Sequence, residues 1–185
     1  GKMDKEDIYD IIAYIRTLRP IENNTADHDV DFPMNFILNT IPKNASFVQK
    51  PPKSDTVKYG AYLVNAAACM ECHTQVDKGQ IIPSLAFSGG RVFQMPNGNV
   101  VSANITPDKA TGIGNWTAEQ FVTRFKTYAD PANIVKMGPK DINTIMPWTM
   151  FAGMDTSDLR SIYAYLQTVK PMNNKVNHFV ERTDK

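Results

Sequence analysis

Cysteine, histidine, net charge and long apolar runs are all scarce in this sequence. Among 185 residues there are two cysteines and three histidines, and 20 lysines and arginines stand against 19 acidic residues. A formal net charge of +1 provides no global basic field for nucleic acid and no acidic tail, so no nucleic-acid partner is expected and any partner is chosen by local patches. No apolar run approaches the roughly 20 residues that a bilayer requires, so no membrane span is expected in this chain. The basic start, apolar stretch and small-residue cleavage site of a secretory leader are missing as well. Gly1 opens directly into a charged amphipathic pattern, and the expectation is a processed or shortened chain. A hydrophobic share of 42% suits one globular domain with extra segments.

An internal echo is present. Met3 to Pro20 aligns without gaps on Met154 to Pro171 at an offset of 151, with eight of 18 positions identical. Ile8, Ile11, Ile12, Ile15 and Leu18 in the first copy correspond to Leu159, Ile162, Tyr163, Leu166 and Val169 in the second. That is the stripe of an amphipathic helix. Asp4 and Asp155 are suited to capping, and Pro20 and Pro171 stop the two segments. Because only the second copy has a domain in front of it, residues 1–20 are read as the last helix of a preceding, truncated domain. Residues 21–54, with Pro33, Pro42, Pro51 and Pro52, read as an extended connector. Phe32, Met34, Phe36, Ile37 and Leu38 are too apolar for a free linker, so part of it is expected to lie along a domain surface. The domain proper is residues 55–174, and 175–185 form a polar tail. Inside the domain a helix is predicted from Ser54 as cap, with Gly60 permitting close approach of another helix. Residues 79–115 read as a long loop region with a short hairpin around Pro96 to Asn99. Thr117 and Gln120 form a capping box that opens the next helix.

Cys69-Met70-Glu71-Cys72-His73 carries the chemistry. C-x-x-C-H is the attachment sequence for c-type haem: two cysteines three apart at a helix end can both add to the vinyl groups, and the adjacent histidine then meets the iron. A redox dithiol would belong near a βαβ pattern, which is absent. A closed zinc site needs four ligands, and no further cysteine exists, while His28 and His178 lie far away in sequence. The expected cofactor is therefore one covalent haem c with His73 as iron ligand. A methionine on the sixth position suits electron transfer, whereas an open position invites ligand or peroxide chemistry. Of nine methionines, Met95, Met137, Met146, Met150 and Met154 fall where they could serve. Met146 is preferred because Met146-Pro147-Trp148 lies in a proline-containing, non-helical stretch, with Met150 and Met137 behind it.

These residues resemble the cytochrome c superfamily, and in particular the multihaem cytochrome subunits of membrane-bound alcohol and gluconate dehydrogenases and their dihaem relatives. The similarity rests on Gly60-Ala61-Tyr62-Leu63, Ser88-Gly89-Gly90-Arg91, Ser102 to Asp108, Thr111 to Thr117, Met146-Pro147-Trp148 and the helix Asp158 to Leu166. The resemblance implies an all-α, haem-wrapping fold with long loops and Met146 as sixth ligand. It implies that the loop from Asn104 to Trp116 packs on the haem, with Ile105, Pro107 and Ile113 excluding water and Trp116 donating to a propionate, and that Arg91 lies in the haem site. The carbonyl that orients the proximal histidine would be that of Pro83. The dehydrogenase subunits carry several C-x-x-C-H motifs and this chain carries one, so the resemblance does not select a single dehydrogenase. The function expected is one-electron transfer without a substrate of its own, between a dehydrogenase or quinol-linked donor and another cytochrome or oxidase. A peroxidase-like haem enzyme or a redox sensor domain is the alternative. Because the haem of such proteins is attached on the outer side of the membrane, a periplasmic or otherwise extracytoplasmic location is expected.

Overall fold

A computed structural model describes residues 2–26, 29–138, 141 and 143–180. His28, Pro139 and residues 181–185 of the expected tail lie outside that range. The chain divides into two compact units, Gly1–Lys50 and Pro51–Lys185.

In the first unit, α1 (Lys5–Thr17) opens at Asp4, whose Oδ1 accepts the Glu6 N–H at 2.9 Å, and its apolar stripe buries none of its residues. A second, five-residue helix, α2 (Met34–Leu38), stands in the expected connector, and Phe32, Met34, Phe36, Ile37 and Leu38 are exposed. The unit closes on itself where the Lys50 N–H donates to Asp4 Oδ2 at 2.8 Å and the Lys50 ammonium pairs with Asp7 at 2.5 Å.

The second unit is framed by helices. α3 (Thr56–Ala66) leads into α4 (Cys69–His73). The long loop region that follows contains a two-residue ladder, β1 (Val76–Asp77) with β2 (Gln80–Ile81), and a hairpin, β3 (Val92–Met95) with β4 (Gly98–Val101). The hairpin turns at Pro96-Asn97, where composition had placed it. α5 (Ala118–Lys126), α6 (Trp148–Phe151) and α7 (Thr156–Leu166) follow, and β5 (Phe179–Val180) pairs antiparallel with β4. The expected polar tail thus holds a strand.

Local chemistry explains the helix starts. α3 is capped by Asp55 rather than Ser54, because the carboxylate takes both the Lys58 N–H at 3.2 Å and the Lys58 ammonium at 2.8 Å. α5 has both halves of its box: Thr117 Oγ1 accepts from Gln120 at 3.1 Å, and Gln120 Oε1 accepts the Thr117 N–H at 2.8 Å. Asp155 occupies the cap of α7 without a side-chain bond.

α7 crosses α3 at Gly60. A Cβ there would lie 1.9 Å from the Ser161 carbonyl oxygen, so only glycine lets the two backbones touch. Around the crossing, Val64, Phe87, Ile113, Phe121, Ile162 and Leu166 form the core, and Leu159 is fully buried. Phe121, Phe125, Tyr163, Phe151, Trp148 and Tyr128 continue it as a chain of ring contacts with centroids 5.0 to 6.1 Å apart.

Candidate haem attachment site

The site begins at Ala68, whose left-handed backbone (φ 53°) breaks the chain out of α3 and starts the turn of α4. Cys69 and Cys72 are three apart on that turn and so share one side of it. Both are free thiols and half-buried. Burial pushes the Cys69 thiol up to about 11.

His73 ends the turn. Its Nδ1 lies 2.8 Å from the Ala103 carbonyl. A carbonyl can only accept, so Nδ1 carries the hydrogen and Nε2 keeps the lone pair that a metal requires. Burial holds the imidazole below its ordinary value, the Ala103 carbonyl opposes that, and the nearby His178 adds to the lowering. A neutral ring of fixed tautomer is the form that ligates iron.

Ala103 takes the part that the resemblance offered to Pro83. The Pro83 carbonyl instead accepts the Ala86 N–H at 3.2 Å within the tight turn Pro83–Leu85. The exchange has a physical cause. Gly89 donates its N–H to the His73 carbonyl at 2.8 Å and packs so closely on the Ala103 peptide that a Cβ would lie 2.4 Å from it. The chain returning from the β3–β4 hairpin therefore passes directly beside His73. Pro83 lines an open pocket of about 350 Å³ next to α4, together with Met70, Ser84, Phe87, Tyr165 and Lys170. Phe87 is held there in left-handed backbone (φ 62°), its N–H on Thr74 Oγ1 at 3.1 Å and its carbonyl on the Ile105 N–H at 2.9 Å. Such a conformation in a bulky residue costs on the order of 1–3 kcal/mol and persists where surrounding bonds over-determine it.

The other expected residues divide. Arg91 comes to the attachment turn, donating to the Glu71 carbonyl with its guanidinium 5.3 Å from the Phe93 ring centre. Ile113 belongs to the core, Ile105 packs against it, and Pro107 is half-buried. Asn104 hydrogen-bonds to several protein groups. Its amide donates to Met172 O at 2.7 Å and Thr111 Oγ1 at 3.0 Å, and its Oδ1 accepts from Thr106 N–H and Oγ1 at 3.0 and 2.7 Å. Trp116 is 37% exposed, and its carbonyl accepts the Tyr163 hydroxyl at 2.6 Å.

Met146 is half-buried in a non-helical turn. Its N–H donates to Thr144 Oγ1 at 3.1 Å and its carbonyl accepts from Trp148 at 2.8 Å. Trp148 anchors that turn by stacking on Tyr128 at 5.3 Å beneath the Arg124 guanidinium, 4.5 Å from the indole centre. Met150 is 78% exposed and Met137 is exposed, while Met154 packs on the core.

Two features escaped the sequence reading. The Ala103 carbonyl is backbone and has no residue signature. His178, placed outside the domain by its position in the sequence, lies in the second unit: its carbonyl accepts the Val101 N–H at 2.9 Å, and its Nδ1 lies 3.3 Å from Val101 O. It is near enough to His73 to lower the pKa of that ring. Two cysteines on one turn, followed by a neutral imidazole with Nε2 in reserve, fit a covalently attached haem.

Comparison with known proteins agrees. The chain is 37% identical over 121 residues to the fructose dehydrogenase cytochrome subunit of Gluconobacter japonicus, covering 64% of this chain and 22% of that one. It is 36% identical over 117 residues to the alcohol dehydrogenase (quinone) cytochrome c subunit of Gluconobacter oxydans, covering 63% and 22%. It is 26% identical over 135 residues to a diheme cytochrome c-type protein of Cereibacter sphaeroides, covering 68% and 43%. The chain thus spans less than half the length of each of these relatives. Residues 57–170 match the cytochrome c family model, more than half of the sequence, and the chain belongs to the cytochrome c family, which implies covalently bound haem c.

Proposed function

We propose that this chain carries single electrons, with its haem iron held between His73 and Met146, as part of a dehydrogenase-linked respiratory assembly outside the cytoplasm. The observation that carries the reading is the His73 tautomer: Nδ1–H on the Ala103 carbonyl reserves Nε2 for iron, four residues from Cys69 on the same turn. When bound, the haem supplies a one-electron Fe(III)/Fe(II) couple. Cys69 and Cys72 hold it permanently, His73 presents a neutral ring, and the apolar side chains around α3 and α7 exclude water. The Trp148 anchor holds Met146 in a defined turn, as a positioned ligand requires.

The relatives' names favour a dehydrogenase or quinol-linked donor and a further cytochrome or oxidase as acceptor. Extracytoplasmic location follows from where thioether attachment takes place. The repeat and the exposed stripe of α1 favour residues 1–20 as the closing helix of a second, similar domain. The peroxidase-like alternative needs a free sixth position and a distal base.

Met146→Ala tests the reading. It should abolish the near-infrared charge-transfer band of ferric His/Met haem, lower the reduction potential and admit carbon monoxide to the ferrous protein, while Met150→Ala and Met137→Ala leave all three unchanged. Rapid carbon monoxide binding by the unaltered protein, with no such band, would move the peroxidase-like reading ahead.

A further inference from the structure

The segment after α7 grips the polypeptide on both sides of the carbonyl that orients His73. On one side, Val101 donates its N–H to His178 O at 2.9 Å, and β5 extends the ladder along β4. On the other, the Asn104 amide donates to Met172 O at 2.7 Å, and the Met172 N–H donates to Thr106 Oγ1 at 3.1 Å. Ala103 lies between Val101 and Asn104.

Asn174 closes the grip from behind. Its N–H donates to Thr111 Oγ1 at 2.9 Å, and its side-chain amide donates to the Ser88 carbonyl at 2.9 Å. Ser88 is buried and precedes Gly89, the residue that bonds the His73 carbonyl and packs against the Ala103 peptide. Asn174 thus ties the Thr111 side chain to Ser88, next to the glycine that touches both His73 and Ala103.

On the reading of His73 as an iron ligand, we infer that Asn174 is a positioning residue for that histidine, acting through Ser88, Gly89 and the Ala103 carbonyl. Partners of a ligand's second ring nitrogen set its orientation and basicity. Loosening the Ala103 carbonyl weakens its hold on Nδ1–H, makes the ring a poorer donor and stabilises ferric iron less, so the potential rises.

The test uses the ¹⁵N-labelled holoprotein in its diamagnetic ferrous state. The unaltered protein should show a haem-shifted His73 Nδ1–H resonance that exchanges slowly with solvent. Asn174→Ala should raise the reduction potential and speed that exchange by at least about tenfold, as loss of a protecting hydrogen bond does. Asn174→Leu keeps about the same size, removes the donor without adding a charge and should do the same, so it decides the matter if the alanine variant matures poorly. Lys175→Ala, one residue along the exposed side, should change neither. If both Asn174 variants lower only the melting temperature, leaving potential and His73 exchange as they were, Asn174 is structural and the inference fails. If no haem-shifted His73 resonance exists in the unaltered protein, the ligand assignment fails instead.

Discussion

Helices α1 and α7 share eight of 18 positions across their repeated segments, yet α1 buries none of its residues whereas α7 buries Leu159, Ser161, Ile162 and Leu166. Ile15 and Leu166 occupy equivalent places and are 56% and 1% exposed. The stripe is common to both, so the stripe does not decide burial. What α7 has in addition is α3, with Gly60 where the two backbones meet and Val64 beside it. An amphipathic face is stable in water only when another element receives it, and helix stability in proteins comes mainly from that packing.

The comparison can be broken by direct measurement. Leu166→Ala should cost about 2–5 kcal/mol in denaturant unfolding of the holoprotein, as large-to-small changes in a packed core do, and Ile15→Ala should stay within about 0.5 kcal/mol. An equal loss at Ile15 would mean that α1 has a partner as close as that of α7. Next in size, Gly60→Ala should cost about 1–3 kcal/mol or more, because the new methyl meets the rigid Ser161 carbonyl rather than a side chain that can turn away. A neutral result would mean that α3 and α7 slide apart freely and that their contact does not hold the unit together.

The smallest expected effect is on pH dependence. The Lys58 side-chain hydrogen bond, then the Lys58 backbone N–H, hold the Asp55 carboxyl below its ordinary value of 3.8. A group lowered in the folded state contributes stability that is fully present above its unfolded value and is lost as pH falls through the lower, folded one. Melting temperature should therefore decline slightly in acid below that ordinary value, and the decline should shrink in Asp55→Asn. Asp55 and Lys58 both keep contact with solvent, so salt should reduce the effect further. A decline of the same size in Asp55→Asn would assign it to other carboxylates.

Much of the second unit was legible locally. The Thr117 box, the Pro96-Asn97 turn and the stripe of α7 are all encoded within a few residues, where capping, turn chemistry and periodicity act. The start of α3 moved by one residue because two adjacent side chains could cap it and only the carboxylate also found Lys58. The Asn104 loop is legible as a unit but not in its orientation. Its side-chain amide turned to the segment after α7, about 70 residues away, and no local signal marks that partner.

By itself, the sequence determined where the candidate attachment turn lies. Two cysteines and a histidine within five residues need no distant partner to share one helical turn, and the repeat at an offset of 151 is visible without coordinates. Tertiary structure alone decided which carbonyl orients His73, that His178 joins the second unit by way of Val101, and which of two similar stripes is buried. These depend on contacts between backbone groups and faces far apart along the chain, and a carbonyl group is the same in every residue, so side-chain identity cannot announce where it will point.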